Sequence, residues 1–108
     1  MIILPNQWKI GAHLYTVHSD PVSLRDEHDW ASHHPRSRTI AVETQERPES
    51  AVAEDLVHEL LHALFLDAGQ DVLDKDDEER VCGILAPRLV ALLADNDRAV
   101  AQLLGMLK

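Results

Sequence analysis

The chain has 108 residues and a formal net charge of −9 at neutral pH. This length predicts a single domain over residues 1–108, with a small aliphatic core, because only 4% of the residues are aromatic. Thirteen of the 19 acidic residues lie between Glu43 and Glu79, where the basic residues are Arg47 and Lys75. The chain has no basic stripe of the kind that contacts phosphates, so we expect no nucleic-acid partner.

Three features of the sequence bear on location. No apolar run reaches the roughly 18 residues that a membrane-spanning helix needs, so no membrane partner is expected. The stretch Met1 to Pro5 has neither the length nor the basic start of a secretory signal. Cys82 is the only cysteine, which rules out an internal disulfide bond. Together these features predict a cytoplasmic protein.

The first half of the chain is predicted to form short strands joined by turns. Alternating apolar and polar residues predict one strand from Gln7 to Val17, with Gly11 as a bulge or turn inside it. The segment Val22 to His28 is ambiguous between a charged loop and a single helical turn. A polar strand-and-turn segment, His28 to Pro35, precedes a β-rich stretch, Thr39 to Glu43, and the two are predicted to pair as a hairpin.

Three histidines, His28, His33 and His34, lie within that polar segment. They could be ligands of a second metal ion. The interpretation that we prefer is a polar strand-and-turn segment whose histidines are solvated.

The most informative stretch is Val57 to Phe65, which carries His-Glu-x-x-His within an apolar, helix-forming run. His58 and His62 are four residues apart, so an α-helix places them about 40° apart around its axis and one turn from each other. Both imidazoles then point the same way, as two ligands of one metal ion must. Glu59 lies about 100° further round. A carboxylate there can act as a general base toward water at the ion.

The helix that carries this motif is predicted to run from Ala51 to Ala68, with Gly69 as a natural stop. Its larger apolar residues form a stripe that is offset from the two histidines, and this stripe is predicted to pack into the core: Val57, Leu60, Leu61, Leu64 and Phe65. One face of the helix then lies against the core while another faces a cleft.

Two further helices are predicted after an acidic connector, Asp71 to Asp77. The first runs from about Asp76 to Ala94, and its acidic first turn suits the helix dipole. A break with a capping residue at Asp95 to Asp97 separates it from a last amphipathic helix, Arg98 to Leu107.

A catalytic zinc ion usually has three protein ligands and one open position. The third ligand is therefore expected from the second predicted helix, where Glu78 and Glu79 are the candidates. Glu78 lies at the centre of that helix's apolar stripe, where a carboxylate needs a partner. Glu79 lies on the flank of the stripe, as the two histidines do on their own helix. Spacing alone leaves both residues open.

These motifs resemble those of minimal gluzincin-type zinc metallopeptidases. The match covers Thr39 to about Asn96: a strand, the HELLHAL helix, an acidic connector and Glu-x-x-small-x-x-large-small on the next helix. The chain is similar to small zincins of phages and prophages, and more distantly to ImmA/IrrE-type peptidases. Counted from Glu79, the last pattern is completed by Cys82, Leu85 and Ala86. The resemblance thus implies Glu79 as the third ligand, with Glu78 and then another residue, such as Cys82 or an aspartate, as alternatives.

The resemblance implies one zinc ion per chain and hydrolysis of a peptide or protein substrate, with Glu59 as the general base. It implies a location in the cytosol of a bacterium or of a phage-infected host. We predict an α+β fold of zincin-like form, in which a small, about three-stranded sheet packs on the active-site helix and a second helix carries the third ligand. The strand Thr39 to Glu43 resembles the edge strand with which zincins hold an extended peptide.

The transition-state stabiliser of larger relatives has no clear counterpart in this chain. The candidates for this role are His13, Tyr15 and His33. Two alternatives to the enzyme stay open. One is a non-catalytic phage or bacterial binding or regulatory module that retains a metal site. The other is a metal-free helical interaction protein that uses its C-terminal amphipathic helix as a partner surface.

Overall fold

The computed structural model describes residues 3–19, 30–45, 47–69 and 72–108. The described chain has an α+β fold with a four-stranded mixed sheet and three helices. The strands are β1 (Gln7–Ile10), β2 (His13–Ser19), β3 (Ala31–His34) and β4 (Thr39–Val42). The helices are α1 (Glu49–Ala68), α2 (Lys75–Asp95) and α3 (Asp97–Met106). No described helix is both long enough and apolar enough to cross a membrane.

The sheet contains four described strands where about three were predicted, because the predicted strand Gln7 to Val17 is two strands. Gly11 adopts a φ of 60°, in the left-handed region that glycine tolerates, and turns the chain between β1 and β2. The two strands then pair antiparallel, with Trp8 opposite Tyr15. A side chain at position 11 would collide with the carboxylate of Asp67 on α1, so the turn also fits closely against that helix.

The strand order is β1-β2-β4-β3, which corrects the prediction that Thr39 to Glu43 is an edge strand. β4 lies inside the sheet, parallel to β2 and antiparallel to β3. The strand is apolar, and its residues Ile40, Ala41 and Val42 are all buried. Such a strand is stable when both of its faces are covered and when a neighbouring strand pairs with each of its edges. The polar strand β3 takes the edge position instead.

The predicted hairpin between the polar segment and the β-rich stretch is confirmed, since β3 and β4 pair antiparallel across a turn at residues 35–38. Arg38 closes that turn with a φ of 54°. The segment Val22 to His28, including His28 itself, lies outside the described residues, as does the predicted connector residue Asp71.

α1 lies between the sheet and α2 and contacts β1, β3 and β4. Its buried residues are Val52, Leu56, Glu59 and Ala63, spaced by four, three and four residues as one helical face requires. The predicted stripe lies largely outside the buried face: Val57, Leu61 and Phe65 are half-buried and Leu64 is exposed, whereas the half-buried Leu60 packs against the core as predicted. The sheet covers the face that carries Glu59 and the small Ala63. Glu59, the candidate general base, therefore points toward the sheet, and the larger apolar side chains of α1 lie beside the contact between helix and sheet.

The two C-terminal helices begin close to the predicted positions. The side chain of Asp74 accepts a hydrogen bond from the backbone N–H of Asp77 at 2.8 Å and so caps the start of α2. At the other end, the Asn96 side chain donates to the carbonyl of Leu92 at 2.8 Å. Asn96 thus caps the end of α2 and makes no side-chain cap for α3. Pro87 lies within α2, which stays helical on both sides of it.

Candidate metal centre

The pairing of α1 with α2 brings the two motif histidines against the acidic start of the second helix. His58 Nε2 lies 2.9 Å from Glu79 Oε1, and His62 Nε2 lies 2.7 Å from Glu79 Oε2. The two Nε2 atoms are 3.2 Å apart. His58, His62 and Glu79 form the group of potential metal ligands found among the described residues, with ligand atoms within 4.8 Å of one another. This cluster could hold a metal ion.

The donor atoms are of the types that bind zinc, and they lie slightly closer together than ligands of a bound ion: the two Glu79 contacts, at 2.9 and 2.7 Å, are of hydrogen-bond length. Ligands about 2.1 Å from a tetrahedral ion of the size of zinc lie roughly 3.4 Å from each other. The 3.2 Å between the two histidine nitrogens is close to this value. The carboxylate of Glu79 approaches both nitrogens from the solvent side, since its side chain is 62% exposed. Two nitrogens and one oxygen leave a fourth position open toward solvent.

Glu78 lies on the other side of the same imidazole. Its Oε2 atom accepts a hydrogen bond from the Nδ1 of His62 at 2.7 Å, while the Nε2 of that ring faces His58 and Glu79. Consecutive helix residues lie about 100° apart, so the two carboxylates reach opposite edges of one ring. A carboxylate on Nδ1 keeps the proton there and leaves the Nε2 lone pair for an ion. The geometry therefore separates the two candidates: Glu79 lies with the ligand atoms and Glu78 orients a ligand.

Cys82, the remaining sequence candidate, does not join the ligand cluster. Its Sγ atom lies 3.8 Å from His62 Nδ1, on the side of the ring that Glu78 occupies. Cys82 is fully buried. Burial raises the pKa of the Cys82 thiol to about 11, and the charges of Glu78, Glu79 and Glu59 act in the same direction. Cys82 therefore lies on the Nδ1 side of His62, whereas the ligand atoms of His58 and Glu79 lie on its Nε2 side.

The carboxylates also set the protonation of His62. Burial lowers the pKa of His62, but its hydrogen bonds to Glu78 and Glu79 and the negative charges of Glu59 and Glu79 outweigh burial, so the pKa is raised above its ordinary value. A metal ion that binds His62 would replace the additional proton that the raised pKa favours. The charge of the ion would then balance the surrounding carboxylates. The site therefore favours a cation of either kind, a proton or a metal ion.

Glu59 lies on the wall of an open cavity of about 860 Å³ next to this cluster. Its side chain is 9% exposed, and its charge acts on His62. The cavity runs between β3 and the facing sides of α1 and α2. Its walls combine acidic groups, a lysine and apolar side chains: Glu59, Asp76, Glu78, Glu79, Lys75, Phe65, Leu66 and Leu73. A carboxylate beside a cation site in a water-accessible cavity has the surroundings that a general base needs.

His33 is the transition-state candidate that shares this cavity with Glu59 and His62. Burial lowers the pKa of His33, and the neighbouring His62 and His34 lower it further. Its Nε2 lies 3.3 Å from the hydroxyl of Tyr15, a buried residue behind it. His13 lines a different cavity, of about 280 Å³, with Arg38 and Asp67. Of the three candidates, His33 has the position that acting on a substrate in the larger cavity requires.

The second histidine cluster has no support among the described residues. His34 bonds to the hydroxyl of Ser32 at 2.9 Å, whereas His33 packs on the ring of Tyr15, 5.5 Å away between ring centres. Neighbouring residues on a strand point to opposite faces, which separates the two rings. The preferred interpretation was nevertheless wrong for His33, which is half-buried rather than solvated. His33 is partly buried because it lies in β3 opposite Ile40 of β4, and Ile40 is itself buried.

Comparison of the chain with protein-family models, with curated proteins and with solved structures found no match.

Proposed function

We propose that this protein is a zinc-dependent hydrolase of peptide bonds, of the minimal gluzincin type that its motifs resemble. The observation that carries the proposal is the two-sided arrangement around His62. Its Nε2 faces His58 and Glu79, and its Nδ1 is held by Glu78 at 2.7 Å. A ligand histidine with a carboxylate on its other nitrogen is the usual support of a zinc site. Two histidines and one glutamate favour zinc over manganese or calcium.

Zinc in such a site acidifies water and polarises a substrate carbonyl. The remaining steps belong to side chains of this chain. Glu59 is close enough to the cluster for its charge to raise the pKa of His62. It accepts a proton from the attacking water and passes it to the leaving amine. Glu78, bonded to Nδ1 of His62, keeps the ring in one orientation while the charge on the Nε2 side changes during the reaction. His33, with its lowered pKa, is neutral at pH 7 and offers an N–H to the developing oxyanion.

The substrate proposed for the cavity is an extended peptide segment. β3 is one of the two edge strands of the described sheet, and Ala31, Ser32 and His33 line the cavity beside Glu59. A peptide that adds to this edge by main-chain hydrogen bonds lies across the open side of the cluster. The acidic walls disfavour acidic peptides, and Phe65, Leu66 and Leu73 offer an apolar wall for one side chain.

The experiment that tests this function compares zinc-loaded wild type with Glu59→Gln on a mixed library of peptides, with cleavage read by mass spectrometry. We expect the variant to keep its zinc and to lose cleavage by at least about a hundredfold, the usual contribution of a general base. Glu54→Gln is the matched control, because it makes the same change on the same helix and outside the cavity lining. It should cleave as the wild type does.

Two outcomes would overturn the proposal. Cleavage by Glu59→Gln at the wild-type rate would remove Glu59 from the mechanism. A wild-type protein that binds zinc and cleaves nothing in the library would favour the non-catalytic module with a retained metal site.

A further inference from the structure

The C-terminal helix α3 leaves its apolar side uncovered by the described chain. The residues Leu103, Leu104 and Leu107 are spaced by one and three positions, so they lie on one side of this helix. They are 54%, 50% and 73% exposed. We name this surface, formed by Leu103, Leu104 and Leu107, the α3 leucine face. At the end of α2, Leu92 and Leu93 are about half exposed as well and extend the apolar surface.

A helix as short as α3 is only marginally stable in water without packing against other parts of a protein. α3 has 10 residues, and isolated helices shorter than about 12–15 residues are marginal in water. Their stability in proteins comes from packing of the apolar side. The contacts of α3 with the rest of the described chain are chiefly with α2. The α3 leucine face therefore lacks the cover that its helical conformation calls for.

We propose that the α3 leucine face is the contact surface of a homodimer, covered by the same face of a second copy of this chain. The exposed apolar surface extends beyond these three leucines, because Met106 is 80% exposed and Ile84 and Leu85 of α2 are 49% and 39% exposed. A stable interface takes roughly 800 Å² from each small partner, so the proposed contact includes exposed apolar residues of α2 beside the α3 leucine face.

Charge also favours a second copy at this surface. From Ile84 onward the chain has three basic and two acidic residues, a net charge of +1, so the residues before Ile84 carry a net charge of −10. Two copies that met through the acidic part would repel each other, whereas this part is close to neutral. Asp97 stands at the start of α3 and Lys108 beyond its end. An antiparallel, two-fold arrangement of two α3 helices places each acid near the partner's base.

The test is the molar mass of the whole chain across a wide concentration range, by sedimentation velocity and by light scattering after gel filtration. We expect the wild type to be a dimer and Leu103→Glu/Leu107→Glu to be a monomer. Gln102→Glu adds one negative charge, half of what the double variant adds, to a different side of the same helix, and it should remain a dimer. Circular dichroism of each variant reports whether α3 is still folded.

A second variant covers the case in which the charged substitutions unfold the helix. Leu103→Ala/Leu107→Ala keeps strong helix formers and removes apolar area. We expect its dimer dissociation constant to rise at least tenfold. A wild type that stays monomeric at every concentration would overturn the proposal and leave the face to a different protein. A dimer that survives both double variants unchanged would also overturn it, because the contact would then lie elsewhere.

Discussion

Replacing Glu78 with glutamine is predicted to weaken zinc binding without abolishing it. Glu78 holds His62 Nδ1 at 2.7 Å, and the side chains of His62 and Glu78 are 16% and 28% exposed. A hydrogen bond to a charged group contributes about 1.5–3 kcal/mol. Carboxylates that orient a ligand histidine contribute about ten- to a hundredfold to metal affinity, which is about 1.4–2.8 kcal/mol. Because Glu78 is partly exposed and glutamine keeps a neutral acceptor, we expect the lower part of this range.

The assay is a competition titration against a chromogenic zinc chelator at neutral pH. Glu78→Gln and Glu79→Gln are measured beside the wild type, with Asp76→Asn as the matched control. Asp76 lines the same cavity wall and loses the same charge, but the hydrogen bond to His62 belongs to Glu78. We expect Glu79→Gln to lose the most affinity, Glu78→Gln an intermediate amount, and Asp76→Asn little.

Two results would refute this reasoning. Wild-type affinity in Glu78→Gln would show that the contact with His62 does not support the site. A larger loss in Glu78→Gln than in Glu79→Gln would exchange the two roles and make Glu78 the ligand.

Four further predictions concern the protonation of His62 and the packing around α1. Zinc must displace a proton from His62, whose pKa is raised, so affinity should fall by about tenfold per pH unit below that pKa. The stability of the metal-free protein should depend on pH in the opposite direction. The stabilisation from protonated His62 is present at low pH and is lost as pH rises through its raised pKa, which urea unfolding across a pH series would check. Gly11→Ala should lower the free energy of unfolding by about 1–3 kcal/mol, since φ is 60° there; Gly105→Ala, where nothing is within 4 Å, is its control. Ala63→Leu should cost about 1–3 kcal/mol, because Ala63 is 1% exposed where α1 meets the sheet. Unchanged unfolding midpoints would contradict either packing prediction.

The sequence predicted the helical part of this protein closely because its signals are local. The spacing of His58 and His62, the stop at Gly69 and the acidic start of α2 each depend on neighbours within one or two turns. α1 begins two residues earlier than predicted and ends at the predicted Ala68. The cluster of His58, His62 and Glu79 followed from helix geometry together with a family pattern, and the structure brings these three residues together.

The parts that sequence could not supply depend on contacts between distant segments. β4 is internal because it pairs with the distant β2 as well as with β3, and no local pattern encodes the pairing with β2. The buried side of α1 is likewise selected by the sheet, which takes the face of Glu59 and Ala63 rather than the leucine-rich one. The contact between Glu78 and His62 depends on the rotation of α2 about its axis, so periodicity alone left the two glutamates open.

The most direct test of the central claim is the metal content of the untagged protein, measured by elemental analysis for wild type and Glu79→Ala together. The proposed centre predicts about one zinc ion per wild-type chain. It predicts that this zinc is lost or greatly weakened in Glu79→Ala, whose missing carboxylate lies within 2.9 Å of both histidine nitrogens. A wild-type protein that holds no zinc even after zinc is offered would contradict the account, as would a Glu79→Ala variant that binds zinc as tightly as the wild type.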